Sequence, residues 1–335
     1  MVQKRVPLWE KTKREKRQSR LLRTVLWLLF LFLVVNLGIK AVGIFKSLSE
    51  PLSPYPGDSA KKTVLDLSFR TNILVFSYRP QQYLVDAAIV SFEPKDKIIT
   101  SLQLDLPKNP NLSKIIQPVF KEGSVGALKK YLGVSLGVGL YRYVAIEEAS
   151  DGAITHAKIS SLKEKLANPV SLFSILFNQS ALKSYFKTNI TNAEGWSFFW
   201  RLRDAEYDES SSYLVKGYDL LSEDNASDLK NFFLDRKVVN EGSSISILNA
   251  SGQPGLAQTF ARYLENLGVS VVSLESSEKE EKASFILVNR DKPDTEKRLS
   301  QILDLGKKAE KDTSFVGDIL VILGTDAIDK LTLDY

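Results

Sequence analysis

The chain has 335 residues, a formal net charge of +5, 44% apolar residues, one histidine and no cysteine. That composition excludes a disulfide-stapled fold, thiolate catalysis and Cys- or His-rich zinc sites. A Ser-His-Asp triad has only His156 to build on, and the stretch Gly152–Ser160 around it reads as a short strand carrying a surface histidine.

The first segment, residues 1–20, is a basic tail. Up to Arg23 the chain holds nine Lys and Arg against Glu10 and Glu15, a net of +7, which leaves about −2 for everything after it. Residues 21–45 then predict a transmembrane helix. Thr24 to Ile39 carries no charge, and continuing to Phe45 brings the span to about 33 Å, enough for a hydrocarbon core of ~30 Å. Arg23, Trp27 and Lys40 stand where interfacial residues belong. By the positive-inside rule the tail is cytoplasmic and the rest lies outside a cell membrane crossed once. A basic block abutting such a span reads as a topology signal with the lipid bilayer as partner, and nucleic acid is not expected. No small-x-small cleavage site follows Ile39, so the segment reads as an uncleaved anchor.

Residues 46–62, with three prolines between Pro51 and Pro56, predict an extended spacer that lifts the first domain off the membrane. Residues 63–239 predict a mixed-sheet α/β domain. Strands are expected at 72–77, 85–92, 98–105 and 140–146, with a turn at 93–97 and another in the glycine-rich 133–139. Helices are expected at 123–132, 160–166, 181–187 and 193–202. Residues 240–335 predict a small β-α-β-β-α-β domain: strands at 244–248, 269–273, 284–288 and 319–323, helices at 256–267 and 295–305. Leu256, Phe260, Tyr263, Leu264 and Leu267 share one face of the first of these helices, and Gly268 closes it. That element order reads as a split βαβ unit.

Two regions carry a family resemblance. Ser244-Ile-Ser-Ile-Leu-Asn-Ala-Ser-Gly-Gln-Pro-Gly-Leu-Ala, the helix end Leu264-Glu-Asn-Leu-Gly-Val269 and Asp318-Ile-Leu-Val-Ile-Leu-Gly-Thr-Asp326 resemble the LytR C-terminal domain. Asn72-Ile-Leu-Val, Val90-Ser-Phe-Glu-Pro-Lys-Asp-Lys-Ile-Ile-Thr100, Leu106-Pro-Lys-Asn109 and Thr188-Asn-Ile-Thr191 resemble the LytR-CpsA-Psr catalytic domain, whose members move glycopolymers from polyprenyl-pyrophosphate carriers onto peptidoglycan. The resemblance implies a cell-envelope role with cell-wall glycopolymer or peptidoglycan as partner.

The departures from that family decide what is expected. Where active members carry Asp-x-Arg, Arg-Ser-Asp and Pro-Arg-Asp, this chain has Ser77-Tyr-Arg79, Leu84-Val-Asp86 and Pro107-Lys-Asn109. Pyrophosphate cleavage needs a cation held by carboxylates and forked guanidinium donors on phosphate. Asn109 lacks an aspartate's charge, and Lys108 lacks the fork. The expectation is therefore a non-catalytic binder of envelope polymer, lipid-linked precursor or an assembly partner, with no cofactor. Its candidate ligand-binding residues are Arg79, Asp86, Lys108 and Asn109 in the middle domain, and Asn249, Ser251 and Gly252 ahead of the C-terminal domain's first helix. Arg142 is a further basic candidate. A divergent, Mg²⁺-dependent transferase regrouping Arg79, Asp86, Asp105 and Lys108 is the alternative, and a regulatory tether acting through the tail is a third.

Overall fold

The computed structural model describes residues 51–55, 66–79, 83–147, 160–161, 164, 186–215, 220, 229, 231–305, 310–311 and 314–331. The expected tail, anchor, His156 strand and 160–166 helix fall wholly or largely outside them. Among the described residues no helix is long and apolar enough to cross a membrane. Residues 51–335 form one compact unit built on two mixed sheets.

The larger sheet starts in the expected spacer. Pro51–Ser53 is strand β1 and pairs antiparallel with β6, Phe186–Thr191. Tyr55, just beyond β1, is buried in the main core, stacked edge-on to Tyr78, with its amide donating to the Tyr143 hydroxyl at 2.7 Å. An extended spacer over 46–62 is thus corrected for 51–55: an aromatic side chain with a core site to fill outweighs the preference of its flanking prolines. Phe186 and Lys187 likewise open a strand and do not end a helix, because this segment completes the sheet beside β5, Arg142–Glu147.

The sheet continues through β2 (Thr71–Arg79), β3 (Tyr83–Glu93) and β4 (Ile98–Gln103), with the two-residue strands β7 (Glu206–Tyr207) and β8 (Tyr213–Leu214) on its far edge. The strand order is β1-β6-β5-β2-β3-β4-β7, with β8 also on β4; only β2/β5, β4/β7 and β4/β8 are parallel. Alternation gives the sheet two apolar faces. Leu74, Phe76, Tyr78, Ala87, Ile89, Leu102, Tyr143 and Ala145 face helix α1, Pro110–Leu136. That helix presents Leu112, Ile116, Phe120, Leu128, Leu132 and Leu136 at intervals of four or eight. Asn109 caps it, accepting from the Leu112 amide at 3.2 Å, and Pro110 sits at its start. It runs 27 residues, more than twice the expected length, through Pro118 and three glycines. On the other face, helix α2 (Asn192–Arg203) packs Phe198 and Leu202 against Phe92 and Ile99. A capping box between Thr191 and Glu194 starts α2.

Helix α3, Arg236–Glu241, leads into the smaller sheet. Its elements follow as β9 (Ser244–Asn249), α4 (Leu256–Leu267), β10 (Ser270–Ser276), β11 (Phe285–Val288), α5 (Pro293–Leu303), the short β12 (Glu310–Lys311), β13 (Ile319–Leu323) and α6 (Ile328–Leu331). The expected element order appears, but the topology is not split. β9 and β10 are direct parallel neighbours joined by α4, β13 lies on the other side of β9, and β11 runs antiparallel to β13. A split unit needs a strand between the two parallel ones; the twelve-residue α4 returns the chain to the adjacent position instead. Gly268 ends α4 at φ +91° as its spacing predicts.

Candidate functional site

At one end of the larger sheet, three strands bring polar groups onto the face away from α1. Ser77 on β2 pairs in register with Asp86 on β3, and Gln103 on β4 pairs with Ala88, two residues along from Asp86. Leu104 still bonds to the Ala87 carbonyl at 3.0 Å, so Asp105 lies just past the same row. Neighbouring strands stand ~4.8 Å apart, which places Ser77 and Gln103 about 10 Å from each other across β3. Ser77 is fully buried and Asp105 is 9% exposed. The Ser77 Oγ, Gln103 Nε2 and Asp105 Oδ1 atoms are buried without a hydrogen-bond partner. Leaving such a group unsatisfied costs about 1–3 kcal/mol. Three so close together mark a place where the fold has left polar capacity unspent. Asp105 also has φ +45°, a left-handed backbone that aspartate tolerates better than most residues.

The candidates from sequence divide here. Asp86 is 1% exposed, and its Oδ1 accepts from the Ala87 amide at 2.8 Å and the Leu106 amide at 2.9 Å. It fastens the turn after β4. Asn109 is spent as the α1 cap. Lys108 is exposed and pairs with Asp105 Oδ2 at 3.1 Å. Arg79 ends β2, half-buried, with its guanidinium 5.7 Å from the centre of the Tyr83 ring. Arg142 is 4% exposed at the far end of the strands, where Glu194 of α2 takes its Nε at 2.9 Å and its Nη2 at 2.5 Å. Arg79, Asp86, Asp105 and Lys108 therefore gather at one end of the sheet, and Arg142 does not join them. Tyr78, beside Ser77 in sequence but facing the opposite core, has its hydroxyl pushed up to about 12 by burial and by Glu147. Ser77 and Gln103 are the residues that pattern reading missed. Their only signal is polarity inside strands whose second face proves to be covered. Among the described residues no three His, Cys, Asp or Glu side chains cluster as a metal site.

The second candidate set lies in the loop from β9 to α4. Asn249 Oδ1 accepts from the Ser251 amide at 3.2 Å and its hydroxyl at 2.6 Å, while Asn249 Nδ2 donates to the Gln253 carbonyl at 2.8 Å. Ser251 Oγ accepts in turn from the Gln253 amide at 3.1 Å. Gly252 has φ +74°, and a Cβ there meets the Glu280 carboxylate. The loop satisfies itself, so these three residues build a strand-to-helix turn.

The sequence of this second lobe carries a family signature. Residues 243–326 match the family model LytR_C, described as the LytR cell envelope-related transcriptional attenuator. This segment is a LytR_C domain. No curated protein matches the chain. Among solved structures the chain is similar to TagV of B. subtilis (11% identity over 45% of this chain and 86% of that one, TM-score 0.35). It is also similar to a transcriptional regulator from Enterococcus faecalis (11%, 60% and 88%, TM-score 0.31). A third likeness is to the LytR-CPS2A-psr family protein TagT with bound octaprenyl pyrophosphate (12%, 49% and 85%, TM-score 0.28).

The LytR_C domain is clasped to the larger sheet through charge. The Asp235 carboxylate, fully buried, accepts from the Arg70 amide at 3.0 Å and the Lys237 amide at 3.1 Å. Arg70 places Nε on Ser91, Nη1 on the Leu234 carbonyl and Nη2 on Thr100. Arg298 of α5 reaches back to the Arg70 carbonyl at 2.8 Å. Phe69, fully buried, lies within 5.0–5.7 Å of Lys237, Lys297 and Arg298, and each of these cations has its own carboxylate in Asp294, Asp66 or Asp235. Burial pushes the Asp66 carboxyl up, but hydrogen bonds from Lys297 and Ser68 outweigh it and hold it at about 2. Burial raises Glu93, which accepts from the Arg236 amide in the same junction. On the other side, Arg262 and Asn266 of α4 donate to the Val134, Leu136 and Gly137 carbonyls, completing the C-terminal end of α1. Between these contacts is a cavity of about 10 Å³ lined by Asn72, Tyr141, Tyr263 and Arg298, room for a single water.

Proposed function

We propose that this chain is a single-pass cell-envelope membrane protein whose extracytoplasmic part holds an envelope glycopolymer, or its lipid-linked precursor, without cleaving it. The +7 tail and the uncharged segment after it support the topology, and the LytR_C domain supports the envelope setting. One observation carries the non-catalytic part. Asp86 and Asn109 are committed to backbone amides, and Arg142 is locked to Glu194 at the other end of the strands. Three of the groups expected at a cation and pyrophosphate site are thus engaged in the fold. What the row leaves at its margin is an acceptor on Asp105 and a donor on the half-buried Gln103, groups that complement sugar hydroxyls better than phosphate oxygens.

The full chain in detergent, given a polyprenyl-pyrophosphate glycan with Mg²⁺, is expected to bind it and release no pyrophosphate-cleavage product. Asp105→Asn and Gln103→Leu are expected to weaken binding, while Asp86→Asn lowers stability. Product release that Asp105→Asn abolishes overturns this reading.

That outcome would instead establish the divergent transferase, which one observation favours. Mg²⁺ is commonly held by one or two carboxylates together with substrate phosphates. The unspent Asp105 Oδ1 meets that minimum. Asp105 would then hold the ion, whose chemistry is to neutralise charge on phosphate oxygens, while Lys108 and Arg79 orient the glycan carrier.

A further inference from the structure

We propose that the open edge of β10 is a docking site for an extended, positively charged polypeptide segment, which joins the smaller sheet as a further strand. The inference stands independently of the glycopolymer reading. β10 closes one side of that sheet. Among the described residues it pairs with β9 alone, so its other edge offers unpaired backbone. The register with β9 skips Val272 and then runs without a break from Ser273 to Ser276. Just beyond, the Ser277 amide donates to the Asn249 carbonyl at 2.9 Å. Backbone groups alternate in direction along a strand, so the N–H and C=O of Leu274 and Ser276 point to the open side. A row of outward donors and acceptors is what an incoming strand needs.

The side chains around this edge select the occupant. Edge strands are ordinarily guarded by lysine or proline; β10 has neither, and its one charge is Glu275. Of the seven large apolar side chains exposed among the described residues, Val272, Leu274 and Val316 share this corner. A Cβ on Gly317, next to Val316, would come within 3.2 Å of Val272 Cγ2, so the two valines are neighbours. The rim around them is acidic. Glu265 stands in the last turn of α4 ahead of β10, Glu275 within the strand, and Glu278 and Glu280 in the loop after it; all four are exposed. Lys279 is paired with Glu281 at 2.8 Å, which leaves Lys282 as the other cation between residues 265 and 282. A second copy on this edge, paired antiparallel, would set the Glu265 end of one strand beside the Glu275 end of the other, and like charges oppose that. A cationic segment gains at both ends, while its apolar side chains cover Val272, Leu274 and Val316.

The test uses the full chain in non-ionic detergent with fluorescent peptides read by anisotropy: one alternating lysine and valine, one alternating glutamate and valine, and the lysine peptide with methylated backbone nitrogens. The lysine peptide is expected to bind saturably, about tenfold or more tighter than the glutamate peptide, and to weaken as salt is raised. Methylation of its backbone, Leu274→Pro or Ser276→Pro should each cost about tenfold or more, since proline removes an outward N–H and leaves the β9 ladder in place. Methylation alters only the peptide, so it reads strand pairing even where a proline variant unfolds. Glu275→Lys with Glu278→Lys should transfer the preference to the glutamate peptide. Binding indifferent to methylation overturns the added strand, and equal affinity for the two charges overturns the cationic occupant. Dimerisation of the chain that Ser276→Pro abolishes gives the edge to a second copy and overturns the proposal as well.

Discussion

The pair between Arg142 and Glu194 offers a sharp test of how this fold spends its charges. Both side chains are 5% exposed, and the guanidinium meets the carboxylate through two nitrogens at 2.9 and 2.5 Å. The Glu194 carboxylate also closes the α2 capping box on the Thr191 amide at 2.9 Å. Glutamine can keep that cap. Glu194→Gln therefore removes the charge with little change to the helix start, and takes from a buried guanidinium the carboxylate that faces it. Breaking a buried pair from one side costs about 3–5 kcal/mol, and the retained amide contact places this case near 3 kcal/mol. At ~2–4 °C per kcal/mol for a unit of this size class, Tm should fall by about 6–12 °C. Replacing both partners, as Arg142→Met with Glu194→Gln, should recover most of the loss because neither charge of this pair remains. Urea unfolding of residues 51–335, followed by circular dichroism, measures all three proteins. A single-variant loss under about 1 kcal/mol, or a double variant no better than the single one, refutes the claim that this pair is a desolvated structural tie.

Gly268→Ala should destabilise by about 2 kcal/mol, because the φ of +91° forbids a side chain and the new Cβ meets Val239 and Leu234; the shift of the urea midpoint reads it. Asp66, held at about 2 in the folded state against an ordinary 3.8, contributes stability that is complete above that ordinary value and is lost as pH falls toward 2. Asp66→Asn should flatten this acid limb in a series of unfolding curves. Tyr78 has the opposite sense: its hydroxyl titrates near 12, so its contribution is intact below pH 10 and is lost between about 10 and 12. An ultraviolet titration should show several late tyrosines, because burial also raises Tyr55, Tyr141 and Tyr263, and Tyr78→Phe should remove one of them.

Periodicity alone located the central strands, the inward stripe of α4 and its glycine stop, because each is set by local alternation or by a single backbone requirement. Two readings failed where distant partners decided the outcome. Phe186 and Lys187 became strand because β5 offered an unpaired edge, and Tyr55 left its expected spacer because the Tyr78 and Tyr143 rings offered it a place. The long α1 was half seen, since its glycines mask a helix that tertiary burial sustains. For the candidate site, the sequence named Arg79, Asp86 and Lys108 by motif position. It had no means of telling that Asp86 would clamp a turn, or that Ser77 and Gln103 would be left unpaired beside it, because both facts depend on strand register.

The three cations around Phe69 bear on how force travels through the molecule. The ring has three cations within 5.7 Å, each with its own carboxylate, so a displacement that draws it away from any of them weakens that contact. These contacts tie the two sheets together at one buried ring. A pull on either half would be delivered to the other half.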